Sequence, residues 1–286
     1  MAPALLWRCR DRLIDCSARP LVMGVLNVTP DSFSDGGRYL DSERAVERGL
    51  EIASEGADII DVGGESSRPG AVPVSAEEEL RRVKPVIEEL ARRTDRLISI
   101  DTSKAAVAEA ALAAGAHIIN DISALRGDAR MAALARETGA GVVLMHMQGT
   151  PQTMQIDPRY EDVVREVSDF LSERIDAACR AGINWECLAI DPGIGFGKTV
   201  EHNVALLAHL SRLTAMGRPV LVGVSRKRFL GALTGRDVHD RLLPSLAALA
   251  FSVAQGAHIL RVHDVKESCE TARLVAILRS GRVPPK

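Results

Sequence analysis

Residues 113–122 read AAGAHIINDI, and three other stretches are built the same way: ASEGADIIDV at 53–62, ETGAGVVLMH at 137–146 and AQGAHILRVH at 254–263. In each, small residues end a helix, a glycine follows, and a short apolar run finishes on a polar side chain. The glycine supplies the left-handed backbone that terminates a helix. The unbroken apolar run is what a parallel strand needs when both of its faces are covered.

Working outward, the same signature gives eight candidate strands, at 21–27, 59–62, 97–101, 117–121, 142–146, 188–191, 220–224 and 259–262. Helical patterns lie between them, among them SERAVERGLEIASEG, SAEEELRRVKPVIEELARRT, KAAVAEAALAAG and YEDVVREVSDFLSERIDAACRAG. Ser42 and Ser75, each ahead of acidic residues, are expected as N-caps. Eight alternating β and α units predict an α/β protein of the (β/α)8 TIM-barrel class, a single domain over residues 20–286. A doubly wound open sheet is the competing architecture, disfavoured because the chain has no strand break and no second glycine fingerprint. Residues 1–19 form an N-terminal extension, of which 5–16 are expected to close the barrel bottom as a hairpin.

The 286 residues contain no Pro-, Gly- or Ser-rich linker, and barrels run this long as one unit. A hydrophobic fraction of 46% suffices for a large core. With 36 basic and 38 acidic residues the net charge is −2, so nothing global attracts nucleic acid or an anionic membrane, and any anion binding must be local. The five cysteines form no C-x-x-C pair, which argues against zinc and redox sites. Scattered thiols without a secretory signal suggest a reducing cytoplasm, and no apolar run approaches the roughly 18 residues of a membrane span.

A barrel of this kind works at the carboxyl ends of its strands. These end, in order, in Asn27; Asp61; Asp101; Asn120 and Asp121; Met145 and His146; Asp191; Ser225, Arg226 and Lys227; and Arg261, His263 and Asp264. One such group alone is more simply a helix cap or a structural carboxylate. A polar group at nearly every strand, on one rim, is not explained that way. Arg68, Lys227, Arg261 and His263 form a cationic group suited to phosphate or pyrophosphate. Asp101, Asn120 and Asp191 can read the donor-rich edge of a planar heterocycle, and Met145 offers it an apolar floor, although a strand methionine is more often plain core. Too few acids remain for an all-protein metal cage, so magnesium would be shared with substrate phosphates, with Asn27 the favoured protein ligand. Two long loops, TPDSFSDGGRYL after Asn27 and GGESSRPGAVPVS after Val62, have the composition of lids, and Phe33 and Arg68 are odd choices for plain solvated loops.

NVTPDSFSDGG, GGESSRPG, ISIDTS, INDIS, MHMQGTPQTMQ, DPGIGFGK, SRK and RVHDV occur in this order and spacing. Together they resemble the bacterial dihydropteroate synthase family over nearly the whole barrel, from Pro20 to Glu267. The resemblance implies a transferase that joins p-aminobenzoate to 6-hydroxymethyl-7,8-dihydropterin pyrophosphate, giving dihydropteroate and pyrophosphate for folate synthesis. It further implies Mg2+ as cofactor, these two small molecules as partners and a homodimer formed through the last helices. Carried over by position, it puts the pterin pyrophosphate at Ser67, Asp101, Asn120, Met145, Asp191, Lys227, Arg261 and His263, with magnesium at Asn27. It puts p-aminobenzoate at Phe33, Ser67, Arg68, Pro69, Phe196 and Arg228. Asp101, Asp35, Lys227 and Arg261 are the expected catalytic group: with pyrophosphate leaving first, Asp101 and Asp35 stabilise a cationic pterin methylene, Arg261 holds the departing charge, and the neutral aromatic amine attacks.

Two positions depart from the family pattern. Ser67 stands where threonine is common, and Arg228 where many members carry a serine that meets the p-aminobenzoate carboxylate; Arg228 could bind that carboxylate by backbone or side chain, or point to solvent. DPGIGFGKT at 191–199 fails as a nucleotide loop, because the first glycine of G-x-x-x-x-G-K-[ST] falls on Pro192. It reads instead as the turn after strand six: its glycines admit a flat ligand, Phe196 walls the aryl pocket and Lys198 is a rim or solvent charge. A corrinoid-type methyltransferase that binds methyltetrahydrofolate would leave Arg68, Arg261 and His263 without work, and a silent paralogue would be expected to have lost strand-end residues. LLPSLAALAFSVA at 242–254 serves either as a dimer patch or as cover for the barrel.

Overall fold

The computed structural model describes residues 4–29, 38–66 and 70–281, without the side chains of 38–41. Phe33, Asp35, Ser67, Arg68 and Pro69 therefore lie outside the described residues. The chain begins with an antiparallel hairpin, β1 (Leu6–Cys9) and β2 (Arg12–Asp15). The barrel strands follow as β3 (Leu21–Asn27), β4 (Ile59–Gly63), β5 (Leu97–Asp101), β6 (Ile118–Asp121), β7 (Gly141–Met145), β8 (Leu188–Asp191), β9 (Leu221–Val222) and β10 (Ile259–Val262). They pair in parallel in the order 8-7-6-5-4-3-10-9, and a bridge between Ile190 and Val220 joins the two ends of the sheet. The ring is a TIM barrel.

Ten helices are described around it: α1 (Arg38–Ser54), α2 (Ala76–Arg93), α3 (Ala105–Ala113), α4 (Met131–Thr138), α5 (Val163–Arg180), α6 (Val200–Ala208), α7 (Leu210–Thr214), α8 (Arg228–Thr234), α9 (Leu242–Ala254) and α10 (Val265–Ser280). The repeated glycine of the opening motif explains each return from helix to strand. Gly56, Gly115, Gly139 and Gly256 have φ of 107°, 113°, 64° and 99°, a backbone that a side chain would strain.

Local signals held at one helix start and failed at another. Ser75 caps α2 by accepting from the Glu78 N–H at 3.1 Å. Ser42 is not a cap: α1 already begins at Arg38, since no glycine or proline separates Arg38 from Ser42. Strand seven is shorter than expected, ending at Val222, where Gly223 offers no side chain to pack on the sheet.

The period of two along the strands divides the barrel interior into layers. Leu21, Met23, Ile59, Ile118, Val143, Ala189, Leu221 and Ile259 form an apolar floor, with Trp7, Cys9 and Cys16 packed into it from below. The Trp7 Nε1–H donates to the Cys187 carbonyl at 2.9 Å, which pins the hairpin across the amino ends of the strands. The opposite faces of the strands meet the helices in the main hydrophobic core. Two residues above the floor, the inward positions turn polar at Asp61, Asn120, Asp191 and Arg261, and that change of character marks the mouth.

Candidate active site in the barrel mouth

Parallel register brings the strand ends together. Asn27 pairs with Gly63, Gly63 with Asp101, Asp101 with Asn120, and Met145 with Asp191. The centre of the site is Arg261 on β10, whose Nε donates to Asp61 at 2.6 Å and whose Nη2 donates to Asp101 at 2.7 Å. Asp61 is fully buried and also accepts from Asn120 Nδ2 at 3.2 Å. Four side chains from β4, β5, β6 and β10 thus form one network.

Charge is held there against the pull of burial. Burial works against the Arg261 guanidinium, but Asp61 and Asp101 together outweigh it and keep it charged. Burial pushes the Asp101 carboxyl upward, and Arg261 opposes the shift. Asp191 is also raised by burial, although it accepts the Gly193 N–H at 2.6 Å. Lys227 is lowered to about 8, by burial first and then by Arg261.

His263 sits beside Arg261 on the same rim. Burial, reinforced by Arg261, lowers it to about 4, so the ring is neutral near pH 7. Ser225 fixes its orientation, with Oγ 3.1 Å from Nδ1 and 3.2 Å from the His263 N–H. The hydroxyl can pair with Nδ1 in either tautomer, and among the described residues Nε2 carries no protein hydrogen bond.

The apolar wall is built from Met145, Met147, Met154 and Phe196, with Ile122 against them. Lys227 Nζ lies 4.2 Å from the Phe196 ring centroid, which links the wall to the charged network. Asn27 is half-buried at the end of β3. Arg228 is exposed on the first residue of α8, and among the described residues no side-chain bond ties it to the network.

The loop after β8 departs from its sequence reading at Lys198. Lys198 is no rim charge: it is 3% exposed, with its ammonium 2.9 Å from the Phe196 carbonyl and 3.0 Å from His146 Nδ1. Two of its glycines are required by contacts with the protein itself. A Cβ on Gly193 would drive into the His146 carbonyl, and one on Gly197 would stand 2.6 Å from the Gln148 carbonyl.

Asp61, Ser225, Met147, Met154 and Lys198 were not singled out from the sequence for the roles they fill. Asp61 and Ser225 were noted only as strand ends. Strict alternation would have aimed Asp61 inward, two residues after Ile59 of the floor. Nothing local signals that Lys198 is buried.

A closed barrel whose mouth joins an Asp-Asn-Asp set to a half-buried arginine and lysine is that of a pterin-binding enzyme, and the family described as "Pterin binding enzyme" matches residues 23–263. The dihydropteroate synthase of Escherichia coli (strain K12) is 50% identical over 265 residues, covering 93% of this chain and 94% of that protein. Among solved structures, dihydropteroate synthase of Xanthomonas albilineans with 4-aminobenzoic acid superposes with a TM-score of 0.90 at 48% identity, covering 99% of this chain and 100% of that one. The same enzyme in complex with 7,8-dihydropteroate gives 0.86 at 47% identity, covering 97% and 100%. The chain belongs to the dihydropteroate synthase family, transferases of folate biosynthesis.

Proposed function

We propose that the mouth condenses 6-hydroxymethyl-7,8-dihydropterin pyrophosphate with p-aminobenzoate, and that the residues of the network divide the work as follows. Asp101, Asn120 and Asp191 hold the polar edge of the pterin, Lys227 its carbonyl side, and Met145 one face. Arg261 uses Nε and Nη2 on Asp61 and Asp101; among the described residues Nη1 carries no protein hydrogen bond and is the donor left for a phosphate oxygen. His263 adds Nε2–H to the same anion. The C–O bond to pyrophosphate breaks with its electrons leaving on oxygen, and the positive charge that develops on the methylene is stabilised by the Asp101 carboxylate. The amine nitrogen of p-aminobenzoate then forms the C–N bond and releases its proton to solvent or to pyrophosphate.

The observation that carries this reading is the largely buried Asp61–Arg261–Asp101 array beside Asn120, Asp191 and Lys227. It leaves cationic donors free for an anion and carboxylates beside the carbon it departs from. A corrinoid-type methyltransferase or a silent paralogue gives Arg261 and His263 no such work. The p-aminobenzoate pocket includes Phe196 and, from outside the described residues, Phe33, Ser67, Arg68 and Pro69. Asp35, expected as a second carboxylate for the reaction, also lies outside them.

The donor set fits magnesium only as a shared ion. Among the described residues no three His, Cys, Asp or Glu side chains are grouped to hold a metal, and Asn27 offers one oxygen at the rim. Magnesium keeps few protein ligands when phosphates supply the rest. Asn27 would hold it; when bound, the ion would neutralise charge on the departing pyrophosphate.

A homodimer fits the outer face. Leu242, Leu243 and Phe251 of α9 and Leu274 and Leu278 of α10 are exposed, whereas Leu249 and Val253 of α9 are buried, so the apolar stretch at 242–254 divides between both uses. A reducing cytoplasm fits the five cysteines, all free. No helix among the described residues is long and apolar enough to cross a membrane.

The test is direct. Purified protein with magnesium and both substrates should yield dihydropteroate and pyrophosphate in equal amounts; a folded sample that forms neither overturns the reading.

A further inference from the structure

Lys198 is a buried charged group of the mouth that the reaction does not use. Its ammonium faces three acceptors: the Phe196 carbonyl at 2.9 Å, His146 Nδ1 at 3.0 Å and the His146 carbonyl at 3.4 Å. An ammonium has three N–H donors, so the protonated form satisfies all three at once, provided His146 is neutral. His146 is held neutral, lowered to about 3 by burial and by the charge on Lys198. Among the described residues no carboxylate contacts the ammonium, and burial lowers Lys198 to about 7, with Asp191 near enough to resist. A lysine buried on carbonyl dipoles is an inefficient way to gain stability.

Its acceptors come from two different segments of the mouth. Phe196 lies on the turn after β8, and His146 directly follows Met145 of β7. The same two loops are tied again where Gln155 donates to the Gly195 carbonyl and Tyr160 to the Gly197 carbonyl, each at 2.8 Å. Those two bonds are exposed or half-buried, while the Lys198 bonds are buried and hold the peptide that carries the Phe196 ring. Asp191 is placed otherwise, within β8 itself and by the His146 N–H on its carbonyl at 2.9 Å.

We infer that Lys198 is a positioning residue for the p-aminobenzoate subsite, locking the Phe196 peptide onto the end of β7 so that the ring stands as a fixed wall between Lys227 and the methionine cluster. The inference rests on the reaction proposed above and on Phe196 facing the aromatic amine. It separates Lys198 from a general stabilising role, because it assigns the residue to one substrate and not the other.

Lys198→Met keeps the length of the stem and removes the donors. The KM for p-aminobenzoate should rise about tenfold, the scale of one charged hydrogen bond, while kcat and the KM for the pterin pyrophosphate stay within about threefold of the unaltered protein. An unchanged p-aminobenzoate KM, or an equal loss in both KM values and kcat, overturns the inference. Where Lys198→Met does not fold, His146→Ala removes the one side-chain acceptor, Nδ1, from the other end: the same split supports the inference and its absence refutes it. Unaltered protein that forms no dihydropteroate removes the proposed reaction and this inference together; active protein with an unaffected variant removes this inference alone.

Discussion

Asp61 Oδ2 lies 2.6 Å from Arg261 Nε, a pair joining β4 to β10 across the strand between them, with the Asp61 side chain fully buried and that of Arg261 only 20% exposed. Asp61 is itself assigned no contact with substrate, yet it orients two residues that are, Arg261 and Asn120. Asp61→Ala should leave Arg261 held by Asp101 alone and Asn120 without its acceptor. Loss of one partner of a buried pair costs about 3–5 kcal/mol, readable in denaturant unfolding. Displacement of Arg261 should lower kcat/KM on the order of 100-fold in a steady-state assay.

The far end of the barrel offers the converse. Trp7 is wholly buried among floor residues. Trp7→Ala should cost about 3–5 kcal/mol by the same unfolding measurement. Because the floor separates it from the mouth, kcat and both KM values of the folded fraction should not change.

Gly193, at φ 66° and against the His146 carbonyl, tolerates no side chain. Gly193→Ala combines backbone strain of about 1 kcal/mol or more with a displaced turn. The turn starts at Asp191 and carries Phe196, so isothermal titration should find weaker binding of both substrates. Equal affinities would refute the close approach of the two loops.

Lys227 predicts a pH dependence. Its native value is about 8 against an unfolded value near 10.5. Between those values the unfolded chain binds more protons, so this group makes stability rise with pH through that window; below about pH 8 its burial cost is fully present. Lys227→Met should therefore be more stable than the unaltered protein at pH 7, with the difference shrinking as pH approaches 10. Melting curves of both proteins across pH 7–10 measure it. The same variant should bind the pterin substrate more weakly.

Magnesium should be required for turnover and removable by a chelator. Asn27→Ala should raise the magnesium concentration for half-maximal rate while leaving affinity for p-aminobenzoate alone unaltered. An unchanged magnesium dependence would exclude Asn27 as its ligand.

Much of this was legible because a parallel barrel writes itself locally. The glycine of AAGAHIINDI and its three relatives sets the return from helix to strand, and the apolar runs mark strands covered on both faces; those are properties of a few adjacent residues. Strand ends, and with them Asp101, Asn120, Asp191, Lys227, Arg261 and His263, follow from counting along the runs. The hairpin at 5–16 could be suspected, but its fit beneath the floor depends on Trp7 reaching the carbonyl of Cys187, far away in sequence.

What tertiary structure alone decided is which neighbours meet. Sequence determined that Arg261 ends a strand; ring closure determined that Asp61 and Asp101, two and three strands away in the sheet, turn it toward the centre. Sequence placed Lys198 after a glycine-rich turn and suggested solvent. Only the approach of that turn to the end of β7, close enough to forbid a Cβ on Gly193, adds the two His146 acceptors to the local Phe196 carbonyl and makes a buried ammonium tenable. Periodicity is a local property of the chain, whereas the partner of a buried charge is set by distance across the fold.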